Sequence, residues 1–170
     1  MTDQIDKAEF LKLIRQNKGI IFKICNSYCK KPEDRDDLAQ EIIYQLWKSF
    51  GNYNPGFKYS TWMYRIALNV AISFYRMERE SRVLVSMDER LMEIADYEEN
   101  SDETHENISL LQQFIHQLKE LDRALMILYL DEKNYKEIAE ILGITETNVA
   151  TKLSRIKDIL KQKFATLNHY

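Results

Sequence analysis

Two stretches of the chain carry side chains suited to recognition chemistry. The first is "GNYNPGFKYS", residues 51–60, which runs into "TWMYRIALNVAISFYRMERESR". Tyr53, Phe57 and Tyr59 lie in a loop punctuated by two glycines and a proline, and the helix after it supplies Tyr64, Arg65, Asn69, Arg76, Arg79 and Arg82 to surfaces outside the core. Exposed rings stack on unpaired bases while cations track the phosphates, each stacked base contributing about 1–3 kcal/mol. Rings at helical spacing also build cores, and Trp62 suits that role too. The second stretch is "YKEIAEILGITETNVATKLSRIKDILKQ", residues 135–162. Ile138, Ala139, Ile141 and Leu142 share one helical face, and Gly143 follows where a helix end wants positive φ. Thr145 is a suitable N-cap for a second helix. Along it Val149, Leu153, Ile156 and Leu160 recur at steps of three and four, and the opposite face reads as basic, with Lys152, Arg155, Lys157, Lys161 and Lys163. Small Ala139, then Gly143, then Val149 is the spacing of a DNA-binding helix-turn-helix. A plain helical hairpin with a solvated basic face is the alternative.

The elements that must hold these residues are helices. Residues 7–29 carry Phe10, Leu13, Ile14, Ile21, Ile24, Cys25 and Tyr28 at helical steps. In "KKPEDRDDLAQEIIYQLWKSF" a proline precedes an acidic first turn, as at a helix start. Leu38, Ile42, Leu46 and Phe50 make its apolar face; Asp36, Asp37, Gln40 and Glu41 make an acidic one. Ser60 reads as the cap of the long helix that follows, with Trp62, Ile66, Val70 and Phe74 able to face the core. The fold class is all-α: two small helical domains joined by an acidic flexible linker.

Charge marks the boundary. The chain has 170 residues and a formal net charge of −3, yet residues 88–106 alone hold nine acids and one arginine. The flanking blocks are net positive, +4 over residues 1–87 and +1 over 107–170. We therefore expect domains at 1–85 and 108–170 with a linker at 86–107, mostly extended apart from a short helical piece near Met87–Ile94. About twenty extended residues reach roughly 65–70 Å, the length of two turns of DNA.

Several classes are disfavoured. No apolar run approaches a membrane span and the N-terminus lacks signal-peptide character, so no membrane insertion and a cytoplasmic location are expected. Cys25 and Cys29 lie one helical turn apart, and His105, His116 and His169 are scattered, so buried reduced thiols are expected rather than a metal site. With no glycine-rich phosphate loop, ligand cluster or nucleophile arrangement, neither catalytic residues nor cofactors are expected, and the chain is not read as an enzyme.

Together these residues carry a resemblance. "EDRDDLAQEIIYQLWKSF" followed by "FKYSTWMYRIALNVAISFYRMERE" resembles region two of a bacterial RNA polymerase sigma factor, and "LDRALMILYLDEKNYKEIAEILGITETNVATKLSRIKDILKQKF" resembles region four. Order and spacing are similar to the extracytoplasmic-function branch of the sigma-70 family, which has only these two domains. The resemblance implies a sigma factor that binds core RNA polymerase, directs it to promoter DNA through −35 and −10 elements and helps open the DNA. It implies core contacts at Asp37, Gln40, Glu41 and Gln45. For the −10 box and strand opening it implies the loop from Gly51 to Lys58, with Asn54 and Phe57, and the helix beyond, with Tyr59, Trp62, Arg65, Asn69 and Arg76. For the −35 box it implies a recognition helix from Glu146 to Lys157, with Thr147, Asn148, Ala150, Thr151, Lys152 and Arg155 in the major groove. Ala150 departs from the family, which commonly has Lys or Arg there; an alanine suits a thymine methyl instead. The resemblance also implies that the acidic linker threads the polymerase cleft, a solvated spacer being the alternative, and it admits an anti-sigma protein as regulator. The rival reading is a helix-turn-helix transcriptional regulator that is not a polymerase subunit, which explains residues 108–163 but leaves the aromatic loop unused.

Overall fold

A computed structural model describes residues 2–82 and 103–167, and every regular element among them is a helix. The elements are α1 (Thr2–Gln16), α2 (Lys18–Tyr28), α3 (Pro32–Ser49), a 3-10 turn (Phe50–Asn52), α4 (Tyr59–Arg82), α5 (Glu103–Gln117), α6 (Glu120–Leu130), α7 (Tyr135–Leu142) and α8 (Glu146–Leu167). The helical piece expected near Met87–Ile94 lies outside the described residues, as does His169. Helix α5 already begins at Glu103, inside the segment read as linker.

In the first half, the apolar run over residues 7–29 is divided. Helix α1 ends where the Asn17 amide donates to the Leu13 and Ile14 carbonyls and its Nδ2 donates to Leu13 O at 2.9 Å. The chain then turns into α2, and Phe10, Leu13, Ile21, Ile24, Cys25 and Tyr28 all reach the core. Helix α3 opens on Pro32 with Glu33 and Asp34 in its first turn. The proline gives up an amide that has no partner at a helix start, and the acids face the positive end of the helix dipole. Leu38, Ile42 and Leu46 are fully buried.

Helix α4 corrects two expectations. It starts at Tyr59, so Ser60 lies inside the first turn rather than before it. Its fully buried stripe is Met63, Tyr64, Ala67, Leu68 and Ala71, whereas Trp62, Ile66, Val70 and Phe74 are only half-buried against that core. Tyr64, expected on an outer surface, is wholly enclosed. The reason is a second set of neighbours: α4 packs on α2 and α3 and also against α6 and α7 of the other half. Burial from two sides rotates the core stripe by one residue from the position that one-sided burial selects.

The second half is stapled by its turn. Gly143 takes φ 68, the left-handed C-cap, and its amide donates to Ala139 O. Asn134 caps α7 by accepting from the Glu137 amide at 2.8 Å, and Thr145 Oγ1 accepts from the Asn148 amide at 3.1 Å ahead of α8. Val149, Leu153, Ile156 and Leu160 are buried as their spacing requires.

Candidate nucleic-acid interface

Three groups of candidate residues sit on three separate elements. On α3 the acidic face is solvent-exposed at Asp37, Gln40 and Glu41, while Gln45 is half-buried and donates through Nε2 to Glu41 Oε1 at 2.9 Å. Reading charge alone missed the apolar part of this surface. Ile43, Tyr44 and Trp47 are exposed beside the acids, and Tyr44 stands four residues from Gln40 and three from Glu41, in the middle of the face. That spacing was available in the sequence. Such a surface offers fixed negative charge around an aromatic centre, which suits a basic protein partner with apolar patches of its own.

The loop before α4 holds an ordered aromatic stack. Tyr53 and Tyr59 lie face to face with centroids 4.3 Å apart and an 18° tilt, and Trp62 meets Tyr53 edge-on at 5.5 Å. The Tyr53 hydroxyl donates to the Phe57 carbonyl. Partial desolvation, and then the neighbouring Tyr59, push its phenol pKa up. Asn54 Oδ1 accepts the Gly56 amide at 2.9 Å, and the Phe57 amide donates to Asn54 O, closing a tight turn. Asn54 therefore shapes the loop. A Cβ at Gly56 would come within 3.2 Å of that same Asn54 oxygen, so the turn favours glycine there. Phe57 is 41% exposed and Tyr59 36%, leaving one free ring and one edge of the stack open to solvent. Arg65, Asn69 and Arg76 are exposed along α4, on the same stripe as half-buried Trp62. The arrangement presents rings for stacking beside a row of polar and cationic groups. Tyr53, expected among the exposed loop rings but not among the −10 contacts that the resemblance implies, is half-buried and stiffens the platform through its partner ring. The side chains of Arg79 and Arg82 lie outside the described residues.

Helix α8 corrects the reading of a basic face. The side directly opposite its buried stripe carries Thr147, Thr151, Ser154 and Asp158, all exposed, with half-buried Ala150 at one edge and exposed Arg155 and Asn148 at the other. Ala150, Thr151, Ser154, Arg155 and Asp158 line a shallow surface depression. The lysines flank this surface or fold back. Lys157 Nζ lies 4.1 Å from the Tyr129 ring centroid, and its pKa is raised, first by a hydrogen bond with Tyr129. Lys163 Nζ donates to Gln117 Oε1 at 2.6 Å and covers the Phe114 ring. Lys152 is half-buried. Small methyl- and hydroxyl-bearing side chains allow a helix to approach base edges closely, and methyl groups match thymine.

Cys25 and Cys29 are buried and are not joined in a disulfide, and burial pushes the Cys25 thiol up to about 11, away from reactivity. Among the described residues no cluster of His, Cys, Asp and Glu is placed to hold a metal, and no helix is long and apolar enough to cross a membrane.

Comparison with known proteins matches the two halves separately. The family model for Sigma-70 region 2 matches residues 13–81, and that for Sigma-70, region 4, matches residues 108–160. Among curated proteins, the chain is 26% identical over 172 residues to the ECF RNA polymerase sigma factor SigW of Bacillus subtilis (strain 168), covering 95% of this chain and 92% of that protein. It is 26% identical over 159 residues to the RNA polymerase sigma factor SigV of the same organism, covering 93% of this chain and 92% of that one. Among solved structures, the fold is similar to that of CnrH in complex with the cytosolic domain of CnrY, with TM-score 0.68, 17% identity, and coverage of 94% of this chain and 90% of that one. It is also similar to the sigma factor RpoE in complex with the anti-sigma factor NepR from Bartonella quintana, with TM-score 0.61, 18% identity, and coverage of 92% and 94%.

Proposed function

Because the chain belongs to the sigma-70 family of RNA polymerase sigma factors, in its extracytoplasmic-function branch, we propose a division of labour among its three surfaces during transcription initiation. As a sigma factor it binds core RNA polymerase and directs it to promoter DNA; synthesis of RNA belongs to the polymerase, and the chain adds no catalytic group of its own. It works where the polymerase works, in the cytoplasm.

The α3 face, with Asp37, Gln40, Glu41 and Gln45 around Tyr44, docks on the core enzyme. The loop rings, with Phe57 foremost and Tyr59 supported by Tyr53, take up unpaired bases of the −10 element, while Arg65, Asn69 and Arg76 hold the opened strand. The α8 face reads the −35 element through Thr147, Asn148, Ala150, Thr151 and Arg155, with Lys152 at the phosphates. The observation that carries this reading is the ordered aromatic stack beside α4. A regulator binding only duplex DNA has no use for a stacking platform, since duplex bases present edges rather than faces. Complexes of the similar folds with CnrY and NepR support a further proposal, that an anti-sigma protein regulates this chain as well.

The test is reconstitution with core polymerase and mapping of the transcripts that start. Wild type is expected to yield discrete start sites preceded by two conserved boxes. Asp37→Lys with Glu41→Lys is expected to weaken co-purification with core polymerase by reversing the charge of the docking face. Undiminished core binding overturns the α3 assignment. Specific duplex binding by the chain alone, with no polymerase-dependent start sites, supports the rival regulator.

A further inference from the structure

The turn that carries Phe57 keeps its acceptors occupied and its donors open. The Gly56 amide donates to Asn54 Oδ1 at 2.9 Å, and the Phe57 amide donates to Asn54 O at 3.1 Å. The Tyr53 hydroxyl donates to Phe57 O, and the Trp62 amide donates to Lys58 O at 3.2 Å. Asn54 O, Asn54 Oδ1, Phe57 O and Lys58 O are therefore all engaged within the chain. A backbone amide can only donate, so Gly56 fixes which end of the Asn54 side chain faces it. The Asn54 Nδ2 donors are left without a partner among the described residues. Lys58 is exposed and makes no ion pair among the described residues. Residues 51–60 contain no Asp or Glu to accept from a base in their place. The Tyr59 hydroxyl gives or accepts, so it does not discriminate.

Unpaired bases divide by the group at one edge. Thymine carries a carbonyl at O4 and guanine at O6, where cytosine and adenine carry an amino group. Asn54 and Phe57 are the first and last residues of one four-residue turn, and Lys58 follows directly. A base stacked on the exposed Phe57 ring thus has Asn54 Nδ2 and Lys58 Nζ within reach of its edge. A carbonyl there receives a hydrogen bond. An amino group sets donor against donor, and polar groups that lose water without gaining a partner are penalised. Stacking itself is indifferent, because every base has a π-face. The ring captures and the donors choose.

We infer that the loop is selective for a keto base: the base captured on Phe57 is thymine or guanine, chosen by Asn54 Nδ2 and Lys58 Nζ. Asn54 then has two tasks, since its Oδ1 shapes the turn and its Nδ2 reads the base. Tyr53 contributes by occupying the Phe57 carbonyl, which otherwise accepts from an amino group. The inference rests on the strand-capture role proposed for this loop and adds the chemistry of the base it takes.

Binding of reconstituted holoenzyme to forked promoter templates, unpaired through the −10 element on the non-template strand, tests this. The promoter is one mapped by its transcripts. At each unpaired position thymine is compared with 5-methylcytosine, and guanine with 2,6-diaminopurine. Each pair keeps ring and substituents and exchanges the carbonyl for an amino group. At one position the keto member of each pair is expected to bind roughly three- to ten-fold tighter. Comparing thymine with guanine at that position identifies which keto base the loop takes. In Asn54→Asp with Lys58→Met the preference is expected to vanish, since Asp still accepts the Gly56 amide while the donors are gone. Should that double variant bind no forked template, Asn54→Asp alone is read instead, with a reduced preference expected. Equal binding of keto and amino members at every position overturns the inference, as does an amino preference. So does a keto preference that survives in Phe57→Ala, or one left unchanged in the Asn54 variants. Failure of the underlying role looks different: Phe57→Ala with Tyr59→Ala then binds every forked template as wild type does. Loss of binding in that variant with no keto preference in wild type leaves strand capture standing and removes the selectivity.

Discussion

The loop before α4 and the outer face of α8 are built in opposite ways, and each suits a different form of nucleic acid. The loop is irregular backbone made rigid by side chains: Tyr53 stacked on Tyr59, its hydroxyl tied to Phe57 O, and the Asn54–Gly56 turn. Helix α8 is regular backbone held by its buried stripe and by the cap at Thr145, and its outer residues are small. Unpaired bases offer faces, so a ring platform must exist before they arrive. Duplex DNA offers groove edges, so a helix needs close approach more than adhesive bulk. Under the proposed roles the difference teaches that an exposed aromatic and an exposed threonine can serve equally, each matched to a different state of DNA.

Four measurements break or sharpen that contrast. The largest effect is expected from Phe57→Ala with Tyr59→Ala in holoenzyme. Loss of stacking at about 1–3 kcal/mol per base should slow promoter opening by ten-fold or more, seen as delayed permanganate reactivity of thymines near the start site, with upstream recruitment intact. A pre-melted bubble should relieve the slow opening in part. Opening at the wild-type rate would remove the strand-capture role of the loop. Next, Arg155→Ala should weaken the closed complex by about 1–3 kcal/mol if it meets a base edge, and less if it meets only phosphate. Binding to duplex promoter should show the loss, and pre-melting should not restore it.

Gly143→Ala should cost about 1 kcal/mol of stability. No atom lies within 4 Å of the new Cβ, so the cost is that of φ 68 alone. Thermal denaturation should show it, and promoter opening by the loop should be unaffected at permissive temperature. The smallest effect is a pH dependence. Burial first, then Arg123, Lys30 and Arg35, hold His116 down to about 4. The unfolded chain binds this proton near pH 6.5, so the stability tied to a neutral His116 is complete above about 6.5 and is lost as pH falls toward 4. Burial opposes the shift at Asp131, but hydrogen bonds from Lys23 and Tyr64 hold its carboxyl below its usual range, so its share is lost at lower pH still. Melting curves across this window should flatten in His116→Gln.

Much of the fold was legible in the sequence because the signals are local. Proline and acids at the start of α3, Gly143 after Leu142, Thr145 three residues before Asn148, and the steps of Val149, Leu153, Ile156 and Leu160 each depend on spacing within a single helix or turn. Those patterns determined the element types, the two-part order and the candidate surfaces. The failures were of another kind. Which stripe of α4 is buried, where Lys157 and Lys163 point, and that Arg123 is enclosed depend on groups distant in the chain. A helix as rich in apolar residues as α4 has more than one stripe able to face a core, and periodicity alone cannot choose between them. Tertiary packing chose, by placing α6 and α7 against Tyr64 and Tyr75. The sequence by itself determined which charged, aromatic and small side chains each helix and loop carries; only the packed structure decided which of them stay on the surface and which are spent holding the two halves together, because burial of a charged or hydroxyl group requires partners that local spacing does not encode.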